Sequence, residues 1–114
     1  MTPAAFRKLA LSFDGAVEGA HGGHADFRAG GKVFATLGYP DKDWGMVKLA
    51  PEQQQMLVAA EPDMFVPVKG TWGLRGATSV RLTEVDARTV RSALIMAWRN
   101  VTAPKPKKPR RAAA

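Results

Sequence analysis

Apolar residues recur at changing periods along this chain, and each change of period marks a new element. Thr2 and Pro3 make a helix start: the hydroxyl can accept a bond from a first-turn amide, and proline sits where a missing donor costs nothing. Phe6, Leu9, Ala10 and Phe13 follow at helical spacing with Arg7 and Lys8 turned outward, which predicts a first helix to about Ser12. The period then falls to two. Ala25, Phe27 and Ala29 alternate with Asp26 and Arg28, Gly30 and Gly31 supply a tight turn, and Val33, Ala35 and Leu37 alternate with Lys32, Phe34 and Thr36. That pattern predicts a hairpin. After the turn YPDKD, Gly45, Val47 and Leu49 share one face of a third alternating run, and Trp44, Met46 and Lys48 share the other.

Pro51 and Glu52 open a second predicted helix with Met56, Leu57 and Ala60 as its apolar stripe; Pro62 closes it, and Gln53, Gln54 and Gln55 read as solvated. Met64 to Val68 reads as a short strand, KGTWGLRGA as a glycine-rich loop, and Thr78, Val80 and Leu82, alternating with Ser79 and Arg81, as a further strand. Thr83 is the expected cap of a long last helix. Val90, Leu94, Ala97, Trp98 and Val101 form its buried face, and Arg88, Arg91, Ser92, Ile95 and Arg99 lie opposite. Helices and hairpin-linked strands in this order predict an α+β fold, an antiparallel sheet with helices packed on one face.

Composition adds a second region. Residues 102–114, TAPKPKKPRRAAA, carry Lys105, Lys107, Lys108, Arg110 and Arg111 among three prolines, a composition that favours extended, solvated chain over a packed core. The chain therefore divides into one domain over 1–101 and a disordered basic tail over 102–114. The net charge is +7, of which the tail supplies five, so the body is only mildly basic. Cysteine is absent, which excludes thiol catalysis, disulfide scaffolding and cysteine-based zinc sites and fits a reducing compartment. No apolar run approaches a membrane span and the N-terminus lacks a signal-peptide core, so the expected setting is the cytoplasm, without membrane contact.

The tail points to a polyanion. Each cation that neutralises a phosphate releases condensed counterions, giving sequence-independent affinity that falls as salt rises. In the body, Lys69, Trp72 and Arg75 share the glycine-rich loop, where two cations and backbone amides can approach phosphates beside an indole; packing of the loop onto the sheet is the simpler role for Trp72. Arg28, Lys32, Lys48 and Arg81 should project from one sheet face with Phe34 and Trp44 between them, a mixture suited to single-stranded nucleic acid. Arg88, Arg91 and Arg99 read as an ordinary solvated helix face. His21 and His24 flank two glycines and read as turn residues; no metal site or cofactor is expected. Ser12, Ser79 and Ser92 lack a nucleophile context, Asp41 and Asp43 read as turn residues, and Gly30 to Lys32 lacks P-loop spacing, so no enzyme is indicated.

Three segments, HADFRAGGKVFATLG, WGMVKLAPEQQ and FVPVKGTWGLRGATSVRL, ahead of a closing helix with Ala97 and Trp98, resemble the MmcQ/YjbR family of small bacterial proteins across the whole body. The resemblance implies a fold similar to the CyaY/frataxin-like, double-wing arrangement and a DNA-binding role. It also implies that an aromatic often follows Gly76, where this chain has Ala77 and so lacks a stacking platform. The expectation is a monomeric, nucleoid-associated protein that binds DNA, or RNA, with weak sequence preference through tail-assisted backbone contacts. The competing expectation is a non-catalytic protein-interaction or small-ligand-binding module whose tail aids solubility.

Overall fold

The computed structural model describes residues 1–103; the five tail cations predicted to bind phosphate lie outside the described residues. Helix α1 spans Pro3–Leu11, and Thr2 Oγ1 accepts from the Ala5 amide at 3.1 Å, the cap anticipated from the Thr-Pro pair. Strands β1 (Val17–His21), β2 (His24–Ala29), β3 (Lys32–Leu37) and β4 (Trp44–Lys48) follow as an antiparallel meander. Helix α2 (Pro51–Ala60) then crosses the sheet before strand β5 (Phe65–Pro67), the short helix α3 (Thr71–Leu74), strand β6 (Ala77–Arg81) and helix α4 (Ala87–Thr102). The α2 crossover carries the chain past the next strand position, so β6 pairs with β4 and β5 becomes the edge, in the order β1-β2-β3-β4-β6-β5.

Phe6 and Ala10 of α1 and Val90, Ala93, Leu94 and Ala97 of α4 bury with Phe27, Ala35, Leu37, Val47 and Val80 of the sheet and Leu82 just after β6. Burying each large side chain of this set contributes about 1.5–3 kcal/mol, and this one apolar layer holds the domain together. The alternation read in β4 and β6 is observed: Gly45, Val47, Thr78 and Val80 are buried, whereas Trp44, Met46, Lys48, Ser79 and Arg81 are partly exposed on the other face. No described helix is long and apolar enough to cross a membrane.

Four local expectations are corrected. The alternation pattern predicts no strand at β1, because Gly19 and Ala20 mute it; the HGGH segment joins β1 to β2, with Gly22 and Gly23 at φ +59° and +79° in the left-handed region that hairpin turns demand. Phe34 is fully buried instead of lying on the open face. The pairing shifts from Phe27↔Ala35 to Arg28↔Val33, and this bulge turns both Phe34 and Ala35 inward, where the Phe34 ring meets Phe13 edge-on at 6.4 Å. In α2, Met56 is exposed and Gln54 is buried, the reverse of the expectation. Helix α4 is capped by Asp86, which accepts from the Thr89 amide at 2.8 Å, not by Thr83. A carboxylate that can cap three residues downstream outweighs the hydroxyl earlier in the linker.

Candidate functional site

Helices α1 and α4 cover one sheet face, and the other carries the predicted basic residues. They are not equivalent there. Arg28 is committed: its guanidinium grips the fully buried Asp26 carboxylate through Nε to Oδ1 at 2.9 Å and a second bond to Oδ2 at 3.0 Å. That side-chain hydrogen bond first, and the carboxylate charge second, raise the Arg28 pKa above its ordinary value. Arg81 lies over the Trp44 ring at 4.7 Å and donates to the Asp63 carbonyl at 3.1 Å. Both arginines brace the face more than they offer it a free charge.

Lys32, Lys48 and Arg75, from the start of β3, the end of β4 and the end of α3, converge on Trp72 and line one cleft of about 480 Å³ with Asn100 of α4. Trp72 is 59% exposed, so the expected role of packing the loop onto the sheet does not hold. Its ring carries the Lys48 Nζ at 5.3 Å, a cation–π contact that keeps the lysine over the indole face. A second cleft of about 340 Å³, lined by His24, Val33, Tyr39, Met46, Lys48 and Trp72 among others, opens onto the same indole. A third of about 570 Å³ holds Lys69 with Tyr39, Trp44, Val66 and Ser79, again beside Trp72. One exposed tryptophan is thus the shared wall of three depressions.

The segment read as a glycine-rich loop contains the turn of helix that presents this tryptophan, and two of its three glycines are required by close approach. A Cβ on Gly73 would run into the Val68 carbonyl, and one on Gly76, which sits at φ +112°, into the Leu49 carbonyl. Gln54 locks the segment from behind: its Nε2 donates to the Gly73 and Ala77 carbonyls, both at 3.0 Å. The side chains of Gln53 and Asn100 join α2 to α4 beside the first cleft, with Asn100 Nδ2 donating to Gln53 Oε1 at 2.9 Å and to the Lys48 carbonyl at 3.2 Å.

Of the predicted body residues, Lys32, Lys48, Trp72 and Arg75 come together, Lys69 and Arg81 with Trp44 flank them, and Arg28 is held apart by Asp26. Tyr39, Met46 and Asn100 also line the site, although neither periodicity nor composition assigns them a role there. Tyr39 offered the readable signal, an aromatic in a polar turn; Asn100 offered none, being far from β4 in sequence. His24 stands edge-on to Tyr39 with centroids 5.7 Å apart. Among the described residues, no group of three or more His, Cys, Asp or Glu side chains is placed to hold a metal ion. The arrangement offers surfaces for binding: aromatic faces, apolar walls and a concentrated positive charge.

Comparison with known proteins places the chain. The sequence model of the YjbR family matches residues 11–100, and the chain belongs to this family. The crystal structure of a Deinococcus radiodurans protein with a DUF419 domain is similar, with a TM-score of 0.73 and 18% identity over 90% of this chain and 79% of that one. That likeness establishes the α+β architecture that the sequence pattern predicts. No curated protein sequence matches the chain.

Proposed function

We propose that the open sheet face binds single-stranded nucleic acid, DNA or RNA, with weak sequence preference. The observation that carries this reading is the exposed Trp72 indole set among Lys32, Lys48 and Arg75. Every base has a π-face, so an exposed ring accepts bases without reading their edges, while the cations follow the phosphates. Trp44, Tyr39 and Lys69 extend the same mixture along the third cleft. Arg88, Arg91 and Arg99 are exposed on α4 and line none of the three clefts, so they serve this reading less well. Helix α4 ends at Thr102, just past Val101 in the wall of the basic cleft.

Fluorescence anisotropy with labelled single-stranded DNA, single-stranded RNA and duplex DNA across a salt series tests the proposal. Single strands should bind more tightly than duplex, and Trp72→Ala should weaken single-strand binding by about 1–3 kcal/mol, the usual worth of one stacked base. Replacing the five tail cations with glutamine should flatten the salt dependence by about 0.7 in slope for each phosphate that the tail no longer neutralises. Absence of binding at low salt would overturn the proposal. So would binding that vanishes with the tail cations yet ignores Trp72→Ala, because the body would then contribute no site.

A further inference from the structure

The two clefts that meet at Trp72 differ in chemistry in a way a polymer-tracking surface does not require. The one bounded by Val33, Tyr39 and Met46 is mostly apolar and aromatic; the other gathers Lys32 and Arg75. They share Lys48, Trp72 and Ala77, and no acidic side chain lines either. The positive charge of the second cleft is therefore not neutralised within its own walls. Ala77, buried and with the smallest side chain common to both, lies at their junction.

From this juxtaposition we infer that the paired clefts form a discrete subsite for one phosphorylated nucleoside. The base enters the apolar cleft beside Trp72, the sugar crosses Ala77, and the phosphate is received by Lys32, Lys48 and Arg75. The apolar cleft, about 340 Å³, has the size of sites that enclose small molecules. Lys48, now 5.3 Å from the Trp72 ring centre, is the residue both clefts present to the ligand; it exchanges its hold on the indole for the phosphate while the base takes the aromatic surface. The inference rests on the single-strand reading for its ligand class and adds a site that works on a single unit. The same chemistry is offered by a free mononucleotide and by the phosphorylated end of a strand.

Isothermal titration of the full chain with AMP, UMP, adenosine and inorganic phosphate, alongside an oligonucleotide with and without a 5′-phosphate, tests it. AMP and UMP should bind saturably, with adenosine and inorganic phosphate roughly tenfold weaker or worse, because each keeps half of the recognition. Ala77→Phe should abolish mononucleotide binding by filling the junction. Arg75→Gln, a change at an exposed position, should weaken it roughly tenfold with the circular dichroism spectrum intact. A gain in oligonucleotide affinity from the terminal phosphate identifies the strand end as the source, and AMP binding without such a gain identifies the free nucleotide; both support the subsite. Oligonucleotide binding with no mononucleotide binding would overturn the subsite and leave the single-strand reading standing, whereas failure of every ligand would overturn both. Mononucleotide binding unaffected by Arg75→Gln and by a folded Ala77→Phe variant would overturn the location.

Discussion

Replacing Gln54 with methionine isolates a buried side chain that ties the glycine-rich segment to α2. Gln54 is 7% exposed, and its amide donates to the carbonyls of Gly73 and Ala77 on either side of the segment bearing Arg75. Those carbonyls keep one backbone donor each: Gly76 N–H at 3.0 Å to the first and Val68 N–H at 3.0 Å to the second. The substitution therefore removes a second bond from each oxygen without stranding either, and the cost should fall near the net value of two ordinary hydrogen bonds, about 1–3 kcal/mol. Methionine fills similar volume, so little cavity cost is added. For a domain of this size, a loss of about 2 kcal/mol lowers Tm by about 10 °C. Thermal unfolding followed by circular dichroism reads this directly. Nucleic-acid affinity should also fall, because α3 no longer holds Trp72 and Arg75 at a fixed height above the sheet. A Tm within about 2 °C of the parent would refute the assignment of Gln54 as the clamp.

Gly73→Ala should destabilise the fold severely, since its Cβ has no room beside the Val68 carbonyl, and Gly76→Ala should cost at least the roughly 1–3 kcal/mol of a non-glycine residue held at positive φ; urea denaturation checks both. Arg28→Met should lower the denaturation midpoint by depriving the buried Asp26 carboxylate of two charge-assisted bonds, and adding Asp26→Asn should recover part of the loss. The Asp86 pKa is lowered, chiefly by the Thr89 backbone amide and next by the Thr89 hydroxyl. The cap thus contributes stability above the ordinary carboxylate pKa near 4, and that contribution disappears as pH falls through the lower folded value. Asp86→Asn should flatten this acid limb in stability measured from pH 2 to 6, and an unchanged limb would place the titration elsewhere.

Alternation and capping made much of the architecture legible without coordinates. Strict period-two patterns in Trp44 to Leu49 and Thr78 to Leu82 specify which residues face the helices, because a one-residue slip would carry Val47 and Val80 into water. The spacing of Phe6 and Ala10, and the Thr2-Pro3 start, likewise determine α1 from local chemistry alone. Phe34 shows where that reasoning stops: a bulge is a property of a strand pair, and nothing in the β3 pattern by itself signals that two successive residues turn inward. Gln54 shows the same limit from the other direction, since its burial depends on carbonyls supplied by a segment far along the chain.

The candidate site divides along the same line. Residue order alone established that lysines, arginines and aromatics were available on β4, β6 and the glycine-rich segment. Which of them meet is a property of the folded chain. Crossing of α2 over the sheet brings α3 back beside the end of β4, setting Arg75 and Trp72 against Lys32 and Lys48, while the Asp26 pair withdraws Arg28 from the group. Local patterns dictate the face on which a side chain emerges, because that follows from backbone geometry one residue at a time. Convergence is set by chain crossings and by close backbone approaches at Gly73 and Gly76, which depend on the whole fold at once.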